Sequence, residues 1–316
     1  MKTNILLTGG LGYIGGRLAL ALRDAGHVVH CGTQRRGLFA PSWFSDMQMA
    51  HLDWQSIESL AQACKEADCV IHLAAMNEVE SMRDPVGALQ MNGLASLRLL
   101  EAAKRAGVRR FIYFSTAHVY GSPLLGSIDE FTLPRPVHPY AITHKVAEDF
   151  VLAAHDSKQI EGIVIRLSNG FGAPVTSEID RWTLLVNDLC RQAVTTGELR
   201  LNSSGSQVRD FITLGDVAQA VNHMLQLDAE QLGDGLFNLG GGRAISILEM
   251  TEKIAARWQV LTGCAIAISR PSGDGVPSPV LNYRCDKLAA TGFRLTSHVD
   301  SEIDNTLKLC LQAFGK

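Results

Sequence analysis

A chain of 316 residues, 46% hydrophobic and 19% charged, is long enough for two domains or one large α/β unit at about 150 residues per domain. Its 29 Lys and Arg against 32 Asp and Glu leave a net charge of −3, which excludes a global electrostatic pull toward nucleic acid or anionic lipid. No apolar run reaches the roughly 18 residues of a membrane span, and the opening segment turns to glycine too soon for a secretory signal.

In chain order, Ile5-Leu6-Leu7 reads as a first strand. It is followed by a helix with Ile14, Leu18, Ala21, Leu22 and Ala25 on one face, stopped by Gly26. Strands are expected at Val28-Val29, near Met47–Asp53 and at Cys69–Ala74. A long helix is expected near Val86–Ala106, then the strand Phe111–Ser115, a helix from Pro139 to Ala154, and the strand Gly162–Leu167. Apolar runs of strand length separated by helices point to βαβ units on a buried parallel sheet, and right-handed crossovers make that a doubly wound α/β fold of the Rossmann type. Beyond residue 168 turn signals multiply and strands shorten. Residues 1–167 therefore read as a dinucleotide-binding domain, and 168–316 as mainly a smaller, mixed substrate-binding lobe. The stretch 211–240 is expected to return to the main domain, with Phe211–Leu225 rejoining its sheet. Seven cysteines, an odd number without a C-x-x-C pair, argue against a disulfide framework or a bound metal and for a reducing, cytoplasmic compartment.

Thr8–Gly15 lies at the first strand-to-helix junction. Gly9, Gly12 and Gly15 allow a sharp turn, close approach of the backbone to a pyrophosphate and tight helix–strand packing. The helix start at Tyr13-Ile14 offers free N–H groups to phosphate. An NAD site normally places an acid about 20 residues further on, against the ribose. Here no acid stands between Asp24 and Asp46, and Arg35 and Arg36 follow the second strand, so NADP is favoured over NAD. Asp53 is placed to touch the adenine.

These residues, with His72-Leu73-Ala74-Ala75, Asn92-Gly93, Ser115-Thr116-Ala117-His118, Tyr140 and its helix, Asn169-Gly170 and Arg209-Asp210-Phe211, resemble the extended short-chain dehydrogenase/reductases of the sugar-nucleotide epimerase/dehydratase group. The resemblance implies that Thr116 and Tyr140 handle the proton at a sugar oxygen. It adds Leu73, Ala74, Ala75, Asn92 and Ser115 to the cofactor site, and it puts Asn169 and Arg209 on the diphosphate of a nucleotide-sugar substrate. It also implies a homodimer, paired through the helices Val86–Ala106 and Pro139–Ala154. His118, Asn77 and Glu78 are candidates to face the sugar, and Pro271–Gly275 with Tyr283-Arg284 to wall the base.

One departure stands out. The family's lysine, four residues after the tyrosine, is His144 here, and the next residue is Lys145. Four residues keep one helix face while five turn away, which favours His144 in the lysine's place over Lys145 reaching round. A protonated His144 contacting the ribose would make activity fall as pH rises. The sugar-nucleotide 4,6-dehydratases of the group carry an Asp-Glu pair directly after the residue matching Thr116, where this chain has Ala117-His118. The expected activity is therefore a ketoreductase or dehydrogenase on a nucleotide-linked sugar. A 4-epimerase is the alternative, and a dinucleotide-binding sensor or scaffold the second.

Overall fold

The computed structural model describes residues 2–35, 41–272, 280–296 and 298–315. Arg36 and residues 273–275 of the proposed base wall lie outside the described residues. Seven parallel strands form the central sheet: β1 (Asn4–Thr8), β2 (Val28–Thr33), β3 (Gln48–His51), β4 (Cys69–His72), β5 (Arg110–Thr116), β6 (Glu161–Leu167) and β7 (Leu236–Leu239). Their spatial order is β7-β6-β5-β4-β1-β2-β3, a doubly wound arrangement whose order reverses beside β1.

Alternation along the strands explains the layers, since successive side chains leave opposite faces of a sheet. Ile5, Leu7, Ile71, Ile112 and Ile163 pack against Leu18 and Leu22 of the helix Tyr13–Asp24 and Val217 and Val221 of the helix Leu214–Met224. Leu6, Val70, Phe111, Tyr113 and Val164 meet the helices Ile57–Cys64, Ser96–Arg105 and Pro139–Asp156 on the other face. A separate core joins the helices Leu185–Thr195, Ile247–Thr262 and Val299–Phe314 of the C-terminal lobe.

Two expectations need correction. The single helix over Val86–Ala106 is instead the short helices Glu78–Arg83 and Pro85–Ala88, a wide π turn over Leu89–Ala95, and the helix Ser96–Arg105. Asp84 caps the second piece, and its Pro85 cannot continue the first helix's hydrogen bonding. The strand that begins the stretch Phe211–Leu225 does not rejoin the main sheet. Val208–Thr213 lies between Asn169–Phe171 and Ala244–Ser246 in a three-stranded sheet, while Leu214–Met224 covers the main sheet as a helix and β7 joins it at the edge. Among the described residues no helix is long and apolar enough to cross a membrane.

Candidate active site

The C-terminal ends of β1, β4 and β5 meet at one crevice, where a doubly wound sheet binds its ligands. Gly9 has φ +71°, and a Cβ there would lie 3.0 Å from backbone atoms of Leu73 and Ala74. A Cβ on Gly15 would lie 2.1 Å from the Gly9 carbonyl oxygen, so only hydrogen fits at either position. Gly12 begins the helix Tyr13–Asp24 with no side-chain cap and no acid in the first turn, leaving its N–H groups and positive dipole end open to an anion. Thr8 Oγ accepts the Ala74 N–H and bonds His72 Nδ1 at 2.6 Å, which ties the loop after β4 to the glycine turn. Beyond β2, Gln34, His51, Leu52, Asp53, Trp54 and Gln55 line a shallow cleft suited to an adenosine. Arg35 is exposed at its edge. This cradle fits a dinucleotide.

Several expected contacts are made elsewhere by the side chains. The Tyr13 hydroxyl donates to the Gly172 carbonyl at 2.8 Å, which leaves only its backbone at the cradle. Ile14 packs against the core. Asn92 is fully buried in the π turn, accepting the Met76 N–H at 2.7 Å and donating to Thr143 Oγ at 3.0 Å. It shapes the loop beyond Ala74 and Ala75 from behind. The Ser115 hydroxyl donates to Glu148 at 2.5 Å, away from the crevice. Asn169 donates to the Asp210 carbonyl at 2.8 Å and so ties two strands of the small sheet together. Asn77 caps the helix Glu78–Arg83 in a reciprocal capping box.

Thr116, at the end of β5, is buried, and its Oγ accepts the His118 N–H at 3.2 Å. The lone proton of that hydroxyl remains to donate. Tyr140 opens the helix Pro139–Asp156 behind Pro139, with His138 accepting its N–H. Its hydroxyl makes no hydrogen bond to any described residue. Burial and the Glu78 carboxylate raise its pKa above the ordinary phenol range, opposed by Arg181. His118 pairs with Glu78 at 3.5 Å. Burial lowers its pKa, Glu78 raises it, and Arg209 and His138 lower it. Glu78, His118, Arg181 and Arg209 thus form a polar rim beside Tyr140, to which Thr116 is tied through the His118 N–H. Sequence reading missed Arg181, because a lone cation in a turn-rich segment carries no signal of where the segment folds.

His144 lies one turn after Tyr140, with ring centroids 4.4 Å apart and planes nearly perpendicular. Lys145 instead pairs with Asp149 on the outer side of the helix. The expectation of a protonated His144 open to a ribose is not met. Burial lowers its pKa to about 4, so the ring is neutral above about pH 5, and its Nε2 is enclosed without a partner among the described residues.

Residues 5–240 match the model of the NAD dependent epimerase/dehydratase family. The UDP-glucose 4-epimerase of Rhizobium meliloti (strain 1021) is 28% identical over 273 residues, covering 81% of this chain and 83% of its own. The structure of MoeE5 in complex with UDP-glucose and NAD is 26% identical with a TM-score of 0.77, over 98% of this chain and 99% of that one. The UDP-glucuronic acid 4-epimerase from Bacillus cereus in complex with NAD has a TM-score of 0.80 at 22% identity, over 98% of this chain and 96% of that one, a likeness of fold. With well over half of its length matched and a glycine cradle at the switch point of its sheet, the chain belongs to the NAD-dependent epimerase/dehydratase family, among the extended short-chain dehydrogenase/reductases.

Proposed function

We propose that the chain is a nucleotide-sugar 4-epimerase. The observation that carries this reading is that Glu78 acts on Tyr140 and pairs with His118, whose N–H Thr116 accepts, under a rim that includes Arg209 and near the glycine cradle. Held by Gly9, Gly12, Gly15 and the open helix start, a nicotinamide dinucleotide supplies reversible hydride exchange at a sugar carbon. Tyr140 takes the proton from the sugar hydroxyl as that carbon is oxidised, and returns it when the carbon is reduced from the opposite face. Thr116 donates a hydrogen bond to the same oxygen. Arg209, exposed and planar, suits two oxygens of the diphosphate.

A ketoreductase or dehydrogenase, the first expectation from sequence, stands behind this reading because relatives such as the UDP-glucose 4-epimerase of Rhizobium meliloti (strain 1021) are 4-epimerases. The 4,6-dehydratase reading is disfavoured, because Ala117 is apolar and buried and His118 pairs with Glu78. The charge beyond β2 still favours a 2′-phosphate, whereas MoeE5 was solved with NAD. Incubating the protein with UDP-glucose or UDP-galactose and either dinucleotide separates these possibilities. Interconversion of the two sugars without net dinucleotide reduction is expected, supported more strongly by NADP. Stoichiometric oxidation or reduction would instead place the chain among the dehydrogenases.

The homodimer is proposed on an apolar outer face. Val79, Met82, Val86, Leu89 and Leu94 on one helical run, and Ile142 and Phe150 on its neighbour, are all exposed, Val86 at 68%. Light scattering should give twice the chain mass, and Val86→Glu with Phe150→Glu should give a monomer.

A further inference from the structure

We propose that Tyr113 and His144 form a neutral buttress for Tyr140: the Tyr113 hydroxyl donates to His144 Nδ1, fixes the imidazole with its proton on Nε2, and holds the ring of Tyr140 where the family's lysine would bring a charge. The inference rests on the reading of Tyr140 as the site's acid/base.

Donor counting leads to this assignment. Tyr113 Oη lies 2.7 Å from His144 Nδ1. Ser96 stands near the same phenol, but its one proton goes to the Asn92 carbonyl at 2.6 Å. Its oxygen accepts from His72 Nε2 at 2.8 Å. His72 therefore carries its proton on Nε2, so its Nδ1 accepts from Thr8. A buried phenol proton needs an acceptor: the Ser96 oxygen already accepts from His72, and the imidazole lone pair of His144 Nδ1, the stronger acceptor, lies 2.7 Å away. The second nitrogen, enclosed and without a polar partner among the described residues, sits in a ring stacked edge to face with Tyr140 at 4.4 Å.

Among the described residues no cation touches this pair. Tyr113 and His72 face His144 from β5 and β4, and both carry burial-shifted pKa values that keep them neutral. On its own helix Glu148 is bound to Arg166 and Ser115, and Lys145 points outward to Asp149. The charges around Tyr140 itself are Glu78 and Arg181, of opposite sign. Tyr140 thus ionises without a lysine's help, and oxidation of the sugar should gain rate as pH rises toward the phenol's raised pKa. This reverses the pH dependence expected from a protonated His144.

The test needs no substrate for its first arm. Nitrogen-15 spectra of the full chain, with His144→Gln identifying the resonances among ten histidines, are recorded from about pH 5.5 to about 9. A neutral ring protonated on Nε2 throughout is expected, and Tyr113→Phe should move the proton between the two nitrogens. Tyr113→Phe should also lower kcat about tenfold with KM unchanged and the alkaline limb unmoved, the mark of a positioning residue. His144→Lys should bring that limb down by about one unit, because it adds the missing charge. A ring that titrates near its ordinary pKa, a proton on Nδ1, or a His144→Lys profile superimposing on the parent's would each overturn the proposal. Should Tyr113→Phe not fold, the parent spectra and the His144→Lys profile still decide. A neutral Nε2 tautomer with no epimerisation of any sugar supports the buttress and overturns the epimerase reading instead.

Discussion

Tyr140→Phe is expected to lower kcat by about 100- to 10,000-fold, the range for losing a positioned acid/base, while dinucleotide affinity and folding stay near the parent's. The hydroxyl is bonded to no described residue, so its removal orphans no donor or acceptor and fills no space differently. The ring keeps its edge-on contact with His144 at 4.4 Å. A loss of activity with unchanged thermal unfolding and unchanged dinucleotide titration would isolate the proton step from binding and from structure. Retention of a tenth or more of the parent rate would show that another group takes the proton. Glu78 and His118, paired at 3.5 Å on the same rim, would be the groups to substitute next.

Burial decides which parts of this architecture are legible in sequence. The strands β1, β4, β5 and β6 are covered on both faces and so appear as unbroken apolar runs, which is why their positions and the fold class could be read directly. The glycine turn is legible because each glycine answers a local steric need. Helical periodicity sets His144 on the Tyr140 face of the helix, but its charge state depends on burial between β4, β5 and its own helix, which spacing does not reveal. Tyr113 looks like any core aromatic until its hydroxyl is seen against an imidazole. The π turn at Asn92 escaped because its apolar pattern runs on through the break. Within that turn Asn92 bonds to Met76, 16 residues away, a contact no local pattern shows. Ser115 and Asn169 carry the right residue types at the right motif positions, yet both hydrogen-bond into the framework. Phe211–Thr213 is apolar enough for the main sheet, and only its pairing with Asn169–Phe171 assigns it to the small one.

Glu148→Ala should destabilise the fold by about 3–5 kcal/mol, the cost of leaving a buried partner charge uncompensated, and lower Tm by on the order of 10 °C. Glu148 is fully buried and receives Arg166 through two nitrogens, at 3.1 Å and 2.7 Å, besides the Ser115 hydroxyl at 2.5 Å. The Arg166 side chain is only 3% exposed, and its guanidinium lies 4.6 Å over the Tyr120 ring. Removing the carboxylate therefore strands a cation that has no route to water. The same three residues tie the helix bearing Tyr140 to β5, which ends in Thr116, and to β6, so activity should fall along with stability. Glu148→Met with Arg166→Met removes both charges together and should recover most of the lost Tm, since a desolvated pair often contributes little net stability over apolar packing. A double-mutant cycle followed by thermal unfolding measures the coupling. If the two single losses simply add in the double variant, the ion pair is not what joins the helix to the sheet, and packing of Ala147 and Val151 against Tyr113 and Val164 must hold the two catalytic elements in register instead.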